Sequence, residues 1–133
     1  MIESKVVWTD NDRFIGQALS NHPIAVDAGK ERTANSPTEL VLIALCGCTG
    51  ADVVSILRKK REPFTSLEVS AKGEKAPSPP TVYTDIKIVY RVGGKVSRKA
   101  VEDAVRLSEE KYCSVSAMLA KTAKITYTIE YLD

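Results

Sequence analysis

Ser36-Pro37-Thr38-Glu39-Leu40-Val41-Leu42-Ile43-Ala44-Leu45-Cys46-Gly47-Cys48 is the stretch on which the fold turns. Ser36 stands at an N-cap, Pro37 at the first helical position and Glu39 at the third. That is a capping box with proline in its favoured place. The helix it opens is expected to run to about Lys60–Arg61, roughly 36 Å at the standard rise per residue. Its first part is apolar on every side, which predicts burial all round. Its basic end, Arg58-Lys59-Lys60-Arg61, complements the helix dipole and stops before Glu62-Pro63. A long buried helix carrying two cysteines is the expected centre of the molecule.

On its N-terminal side the pattern is strand-like. Ser4 to Thr9 and Phe14 to Leu19 flank the polar turn Asp10-Asn11-Asp12-Arg13, and a short run from Pro23 to Val26 completes a three-stranded meander over about 1–28. Gly29 to Asn35 is unperiodic and loop-like. On the other side, strands are expected at Ser66–Lys72 and Thr81–Val92, separated by Ala76-Pro77-Ser78-Pro79-Pro80. In the second of these, period-two alternation sets Val82, Thr84, Ile86, Ile88 and Tyr90 on one face. Ser97 caps a helix with the stripe Ala100, Val101, Ala104, Val105 and Leu107, a short helical segment follows near Ser114–Lys121, and Ile125–Tyr131 closes the chain as a strand. The order ββ-αα-β over about 64–132 puts strands beside separate helices. The class is therefore α+β with antiparallel sheets, in a single domain over 1–133.

Composition narrows the function. The chain has 133 residues, 19 Lys and Arg, 17 Asp and Glu, and a formal charge of +2, too small a surplus to predict a phosphate-binding surface. No nucleic-acid partner is expected. No uninterrupted apolar run reaches the length of a membrane span, and MIESKVVWTD lacks the zones of a signal peptide, so the expectation is a cytoplasmic protein without a membrane partner. Three cysteines, Cys46, Cys48 and Cys113, are odd in number and do not read as a disulfide framework. His22 is the single histidine. It leaves a zinc site short of ligands, and a Cys-His pair would have to use a residue expected in a strand beside Pro23. No phosphate-cradling glycine loop is present. No metal or cofactor is expected.

Cys46 and Cys48 lie two apart on a helix and differ by about 200° around its axis, so they cannot bridge one another without unwinding it. Free cysteine is often simply buried, and that reading stands for Cys46. Cys113 follows Ser108-Glu109-Glu110-Lys111-Tyr112, where one helix breaks before the next begins. The free N–H groups of that next helix would favour a thiolate.

The frame Ser36-Pro37-Thr38-Glu39-Leu40, the apolar run, Cys48 and then Glu110-Lys111-Tyr112-Cys113-Ser114-Val115 resembles the OsmC/Ohr family. Through Asp52-Val53-Val54-Ser55-Ile56-Leu57 and Ser108 to Val115 the chain is most similar to the YhfA-like branch. The resemblance covers nearly the whole chain and implies an OsmC-like fold in an intertwined homodimer. It further implies a thiol peroxidase that reduces organic hydroperoxides, and hydrogen peroxide less well. Cys48 would form the sulfenic acid, Cys113 would resolve it as a disulfide, and an external dithiol would restore both. An apolar wall at Leu45, Val53 and Met118 would admit a small apolar hydroperoxide.

The family's peroxidases activate the cysteine with a Glu directly after the helix proline and with an Arg from the first hairpin or from the loop before the helix. Here Thr38 follows the proline and Glu39 comes one place later, where capping also explains it. Arg13 and Arg32 occupy the two arginine regions, where a solvated surface charge is the plainer reading. Ser114 stands where the family has proline. Three readings follow: a two-cysteine peroxidase, a redox-sensing or small-ligand-binding dimer with little peroxidase activity, and a structural dimer with inert thiols.

Overall fold

The structure is a computed structural model and describes residues 1–132. The chain divides into two compact units, Met1–Val41 and the remainder from Leu42.

In the first unit β1 (Ser4–Asp10), β2 (Arg13–Ala18) and β3 (Ile24–Asp27) form an antiparallel meander in that order. Asn11 takes φ 44° at the β1–β2 turn, a left-handed conformation that Asn tolerates, and its carbonyl accepts the Trp8 indole N–H at 2.8 Å. The third strand starts at Ile24, so His22 lies in exposed coil and not in a strand as expected. Val6, Val7, Trp8 and Leu19 are exposed, so this sheet has little core of its own. The loop after β3 is held by Asp27, whose carboxylate accepts the Gly29 N–H at 2.8 Å, the Thr33 N–H at 2.9 Å and the Thr33 hydroxyl at 2.5 Å. These donors, Thr33 foremost, hold the Asp27 carboxyl down to about 2. The capping box then forms as read: the Ser36 hydroxyl accepts the Glu39 N–H at 3.2 Å and Glu39 accepts the Ser36 N–H at 2.8 Å.

Helix α1 runs Pro37–Lys59 and ends in a Schellman motif. Arg61 adopts φ 56° while its N–H reaches the Arg58 carbonyl and the Glu62 N–H reaches that of Leu57, both at 3.0 Å. The expectation of burial on all sides fails. Only Leu45, Thr49, Val53 and Leu57 are buried, a single stripe at four-residue spacing, and Ile43 is 54% exposed. One copy of the chain supplies a wall for one face only. By length and composition α1 is also apolar enough to cross a membrane, as core helices of soluble proteins are too. Counting uninterrupted apolar residues misses this, because Thr49, Asp52 and Ser55 punctuate a helix that stays apolar on average.

The second sheet has the order β4-β5-β6, with β4 at Phe64–Lys75, β5 at Tyr83–Gly94 and β6 at Lys124–Leu132. β4 and β5 are antiparallel, but β5 and β6 run parallel, so the expected antiparallel sheet is mixed. The helical connection explains it: α2 (Arg98–Leu107) and α3 (Ser114–Leu119) give the chain the crossover that parallel neighbours require. The expected face of β5 is right from Ile86 to Tyr90, buried at every second position, and the alternation continues to Val92. It is wrong at the start, where Tyr83 is buried and Val82 exposed. The pairing skips from Asp85 to Tyr83 opposite Glu74 and Lys75, and this bulge reverses the alternation. Leu45, Leu57, Val53, Ile86, Ile88, Val92, Val101 and Val105 make the core, each worth about 1.5–3 kcal/mol on burial.

Candidate thiol site

The site begins with the end of α2. Ser97 caps that helix by accepting the Ala100 N–H at 3.2 Å, and Ala100, Val101, Ala104 and Val105 are its buried stripe. Leu107, expected in the stripe, is half-buried. From Ser108 to Tyr112 the backbone widens into one π-helical turn, in which the Cys113 N–H bonds to the Ser108 carbonyl at 2.8 Å. Such turns alter the phase of the side chains. Cys113 then leaves the helical region and becomes the N-cap of α3, its Sγ accepting the Ser116 N–H at 3.3 Å.

Cys48, on α1, is the neighbouring thiol that acts on Cys113 there. Cys48 is near enough to act on the Cys113 thiol, Cys113 being buried and Cys48 half-buried. Burial pushes the Cys113 thiol up to about 12; the Ser116 N–H works against this, and the Cys48 thiol and Glu109 add to it. The expectation of a thiolate favoured by the next helix is therefore reversed at Cys113. One N–H of a six-residue helix does not outweigh lost hydration. Cys46 lies elsewhere, its thiol raised by burial, in an open apolar trough of about 710 Å³ walled by Leu42, Ile43, Gly50, Val54, Leu67 and Val69. Cys48 is not among the trough's lining residues. Leu45 and Val53 are sealed in the core, and Met118 is 69% exposed, so the apolar wall expected from these three is not formed within the chain.

Behind the thiols runs a row of hydroxyls that the sequence reading missed. Thr49 Oγ1 lies 2.7 Å from Tyr90 Oη and 2.7 Å from Ser108 Oγ. Ser108 donates to Asp52 Oδ2 at 2.9 Å, Tyr90 to Glu109 Oε1 at 2.8 Å, and the Ser116 hydroxyl to Glu109 Oε2 at 3.0 Å. Burial pushes the Tyr90 phenol far up, so it remains protonated. The available signal was Thr49 itself, a polar residue inside an apolar helix, which must find a partner once buried. Among the described residues no cluster of His, Cys, Asp and Glu is arranged to hold a metal ion.

The other residues singled out from the sequence lie in the first unit with local partners. Arg13 pairs with Asp10 through bonds of 2.9 and 2.5 Å. Arg32, at φ 50°, donates to the Gly29 carbonyl at 2.5 Å. Glu39 caps α1 beside Thr38.

This α+β frame, with a long helix and a π-turn, has relatives. The family model described as OsmC-like protein matches residues 29–128, and the chain belongs to that family. It is 39% identical over 130 residues to protein YhfA of Escherichia coli K12, covering 97% of both chains. A hypothetical protein from Aquifex aeolicus VF5 superposes with a TM-score of 0.86 at 32% identity, covering 100% of this chain and 98% of that one. The organic hydroperoxide resistance protein OhrB of Bacillus subtilis shares the fold, with a TM-score of 0.70 at 9% identity over 98% of each chain.

Proposed function

We propose that the protein is a two-cysteine thiol peroxidase acting on small apolar organic hydroperoxides, and less well on hydrogen peroxide. The Cys48 thiolate attacks the terminal peroxide oxygen. The O–O bond breaks, the alkoxide takes up a proton to leave as the alcohol, and Cys48 becomes a sulfenic acid. The Cys113 thiol then attacks the Cys48 sulfur, water leaves, and a disulfide forms. An external dithiol returns both thiols in two exchanges and is itself oxidised.

The nearness of Cys48 to Cys113, whose thiol it helps to raise, carries this reading. The raised Cys113 thiol suits a resolving residue, which stays protonated until a sulfenic acid is beside it, and half-buried Cys48 is the one a substrate reaches. The organic hydroperoxide resistance proteins that share the fold support the choice of oxidant. We further propose that it works as a homodimer in the cytoplasm, where reduced thiols persist, and that the second copy covers the exposed face of α1. A second reading, a redox-sensing dimer that binds a small apolar ligand, draws on the Cys46 trough.

Thiol counting with intact mass, before and after one equivalent of cumene hydroperoxide, tests the proposal. Wild type is expected to lose two thiols within seconds to minutes, Cys48→Ser none, and Cys113→Ser to stop at a sulfenic acid or over-oxidise. Unchanged thiols after minutes would reject the peroxidase and leave the ligand-binding reading.

A further inference from the structure

The hydroxyl row behind the thiols has too few hydrogens for its contacts. Asp52, Ser108, Thr49, Tyr90 and Glu109 are joined in series by four oxygen–oxygen contacts of 2.9, 2.7, 2.7 and 2.8 Å. Each hydroxyl owns one hydrogen, and an ionised carboxylate owns none. With both carboxylates ionised, Ser108 spends its hydrogen on Asp52 and Tyr90 on Glu109. The single Thr49 hydrogen must then serve both 2.7 Å contacts, and one of them is oxygen against oxygen with nothing between. Water cannot fill the gap, because Thr49, Tyr90 and Ser108 are fully buried. One more hydrogen at either end satisfies every contact.

We propose that Asp52 and Glu109 hold one proton in common across the Ser108–Thr49–Tyr90 hydroxyls, which makes the row a proton relay behind the thiol pair. With the proton on Glu109 every hydrogen points towards Asp52, and the negative charge sits there. With it on Asp52 every hydrogen points the other way, and the charge sits on Glu109. Passage from one state to the other breaks and forms O–H bonds only. One proton moves in net terms, and no electrons move. Glu109 also accepts from Ser116, whose N–H is bonded to the Cys113 sulfur. The relay thus places or removes a negative charge near Cys113, and the groups exposed to that charge are Cys113 and the Tyr90 phenol. The shared proton is independent of the peroxidase reading and stands whatever oxidises the thiols.

Infrared difference spectroscopy with ¹³C-labelled carboxyls tests it near neutral pH, beside a proton count by potentiometric titration. Wild type is expected to show the band of a protonated, half-buried carboxylic acid that shifts in D₂O. Thr49→Val removes the central hydroxyl at constant shape and leaves two contacts for two hydrogens, so the band should vanish and the folded chain should hold about one proton fewer. Glu109→Gln, whose amide donates in place of the acid, should also lack the band. Absence of the band in wild type overturns the proposal, as does its persistence in folded Thr49→Val. Should Thr49→Val fail to fold, Thr49→Ser, which restores the hydroxyl, must keep the band, and the wild-type spectrum still decides.

Discussion

A cysteine that is 3% exposed and has a second thiol nearby gains little from ionising, because the charge loses its water and has one backbone N–H to replace it. Since the thiolate is the nucleophile, the alkylation rate of such a group rises about tenfold per pH unit until its pKa is reached. In Cys46→Ser/Cys48→Ser protein, where Cys113 is the remaining thiol, alkylation by iodoacetamide is expected to be still climbing at pH 10. A plateau below pH 9, read by intact mass, would contradict the raised thiol. The same scale shows what the residue types announced. Cys48 and Cys113 were legible as the chemically interesting residues, and Cys48 is one of the groups that raise the Cys113 thiol. Their partners were not, because Thr49, Tyr90, Ser108 and Glu109 come from three separate segments, and no local spacing relates a strand tyrosine to a helix threonine 41 positions away.

Elements whose geometry is set by short-range chemistry were read closely, and those set by pairing were not. The capping box of α1 and the Ser97 cap of α2 are local and formed as expected. The bulge in β5 and the parallel placement of β6 depend on neighbours distant in sequence. Two element-scale predictions follow from such constraints. Gly94 has φ 106°, and a Cβ there would stand 2.6 Å from the Pro63 carbonyl oxygen, so Gly94→Ala should cost about 1–3 kcal/mol in urea unfolding. A loss under a few tenths would refute the strain. The Asp27 loop predicts a pH dependence. Its carboxyl is held at about 2, below the ordinary value of about 3.9, so its stabilisation is complete above that ordinary value and drains away as pH falls towards 2. Thermal melting should show a shallower loss between pH 4 and pH 2 in Asp27→Asn than in wild type, and equal slopes would exclude Asp27 as the source.

At the scale of the whole molecule the unanswered demand is apolar surface. Trp8, Val6 and Val7 in the first unit and Ile43 in the second are more than half exposed, and the trough beside α1 is open. Each unit by itself thus leaves apolar side chains uncovered, and apolar surface of this kind marks an interaction face. The capping box and apolar run of α1 predicted burial on every side, a demand the single chain does not meet, and a second copy is the occupant we propose. Analytical ultracentrifugation of detergent-free protein is then expected to give a species of twice 14.5 kDa. Ile43→Asp, which sets a charge on the exposed face without touching the Leu45, Thr49, Val53 and Leu57 stripe, should shift that species towards monomer at micromolar concentration. A wild-type monomer at all concentrations would reject the dimer. Protein found only with the membrane fraction would instead place α1 against lipid, the other environment its length and composition suit.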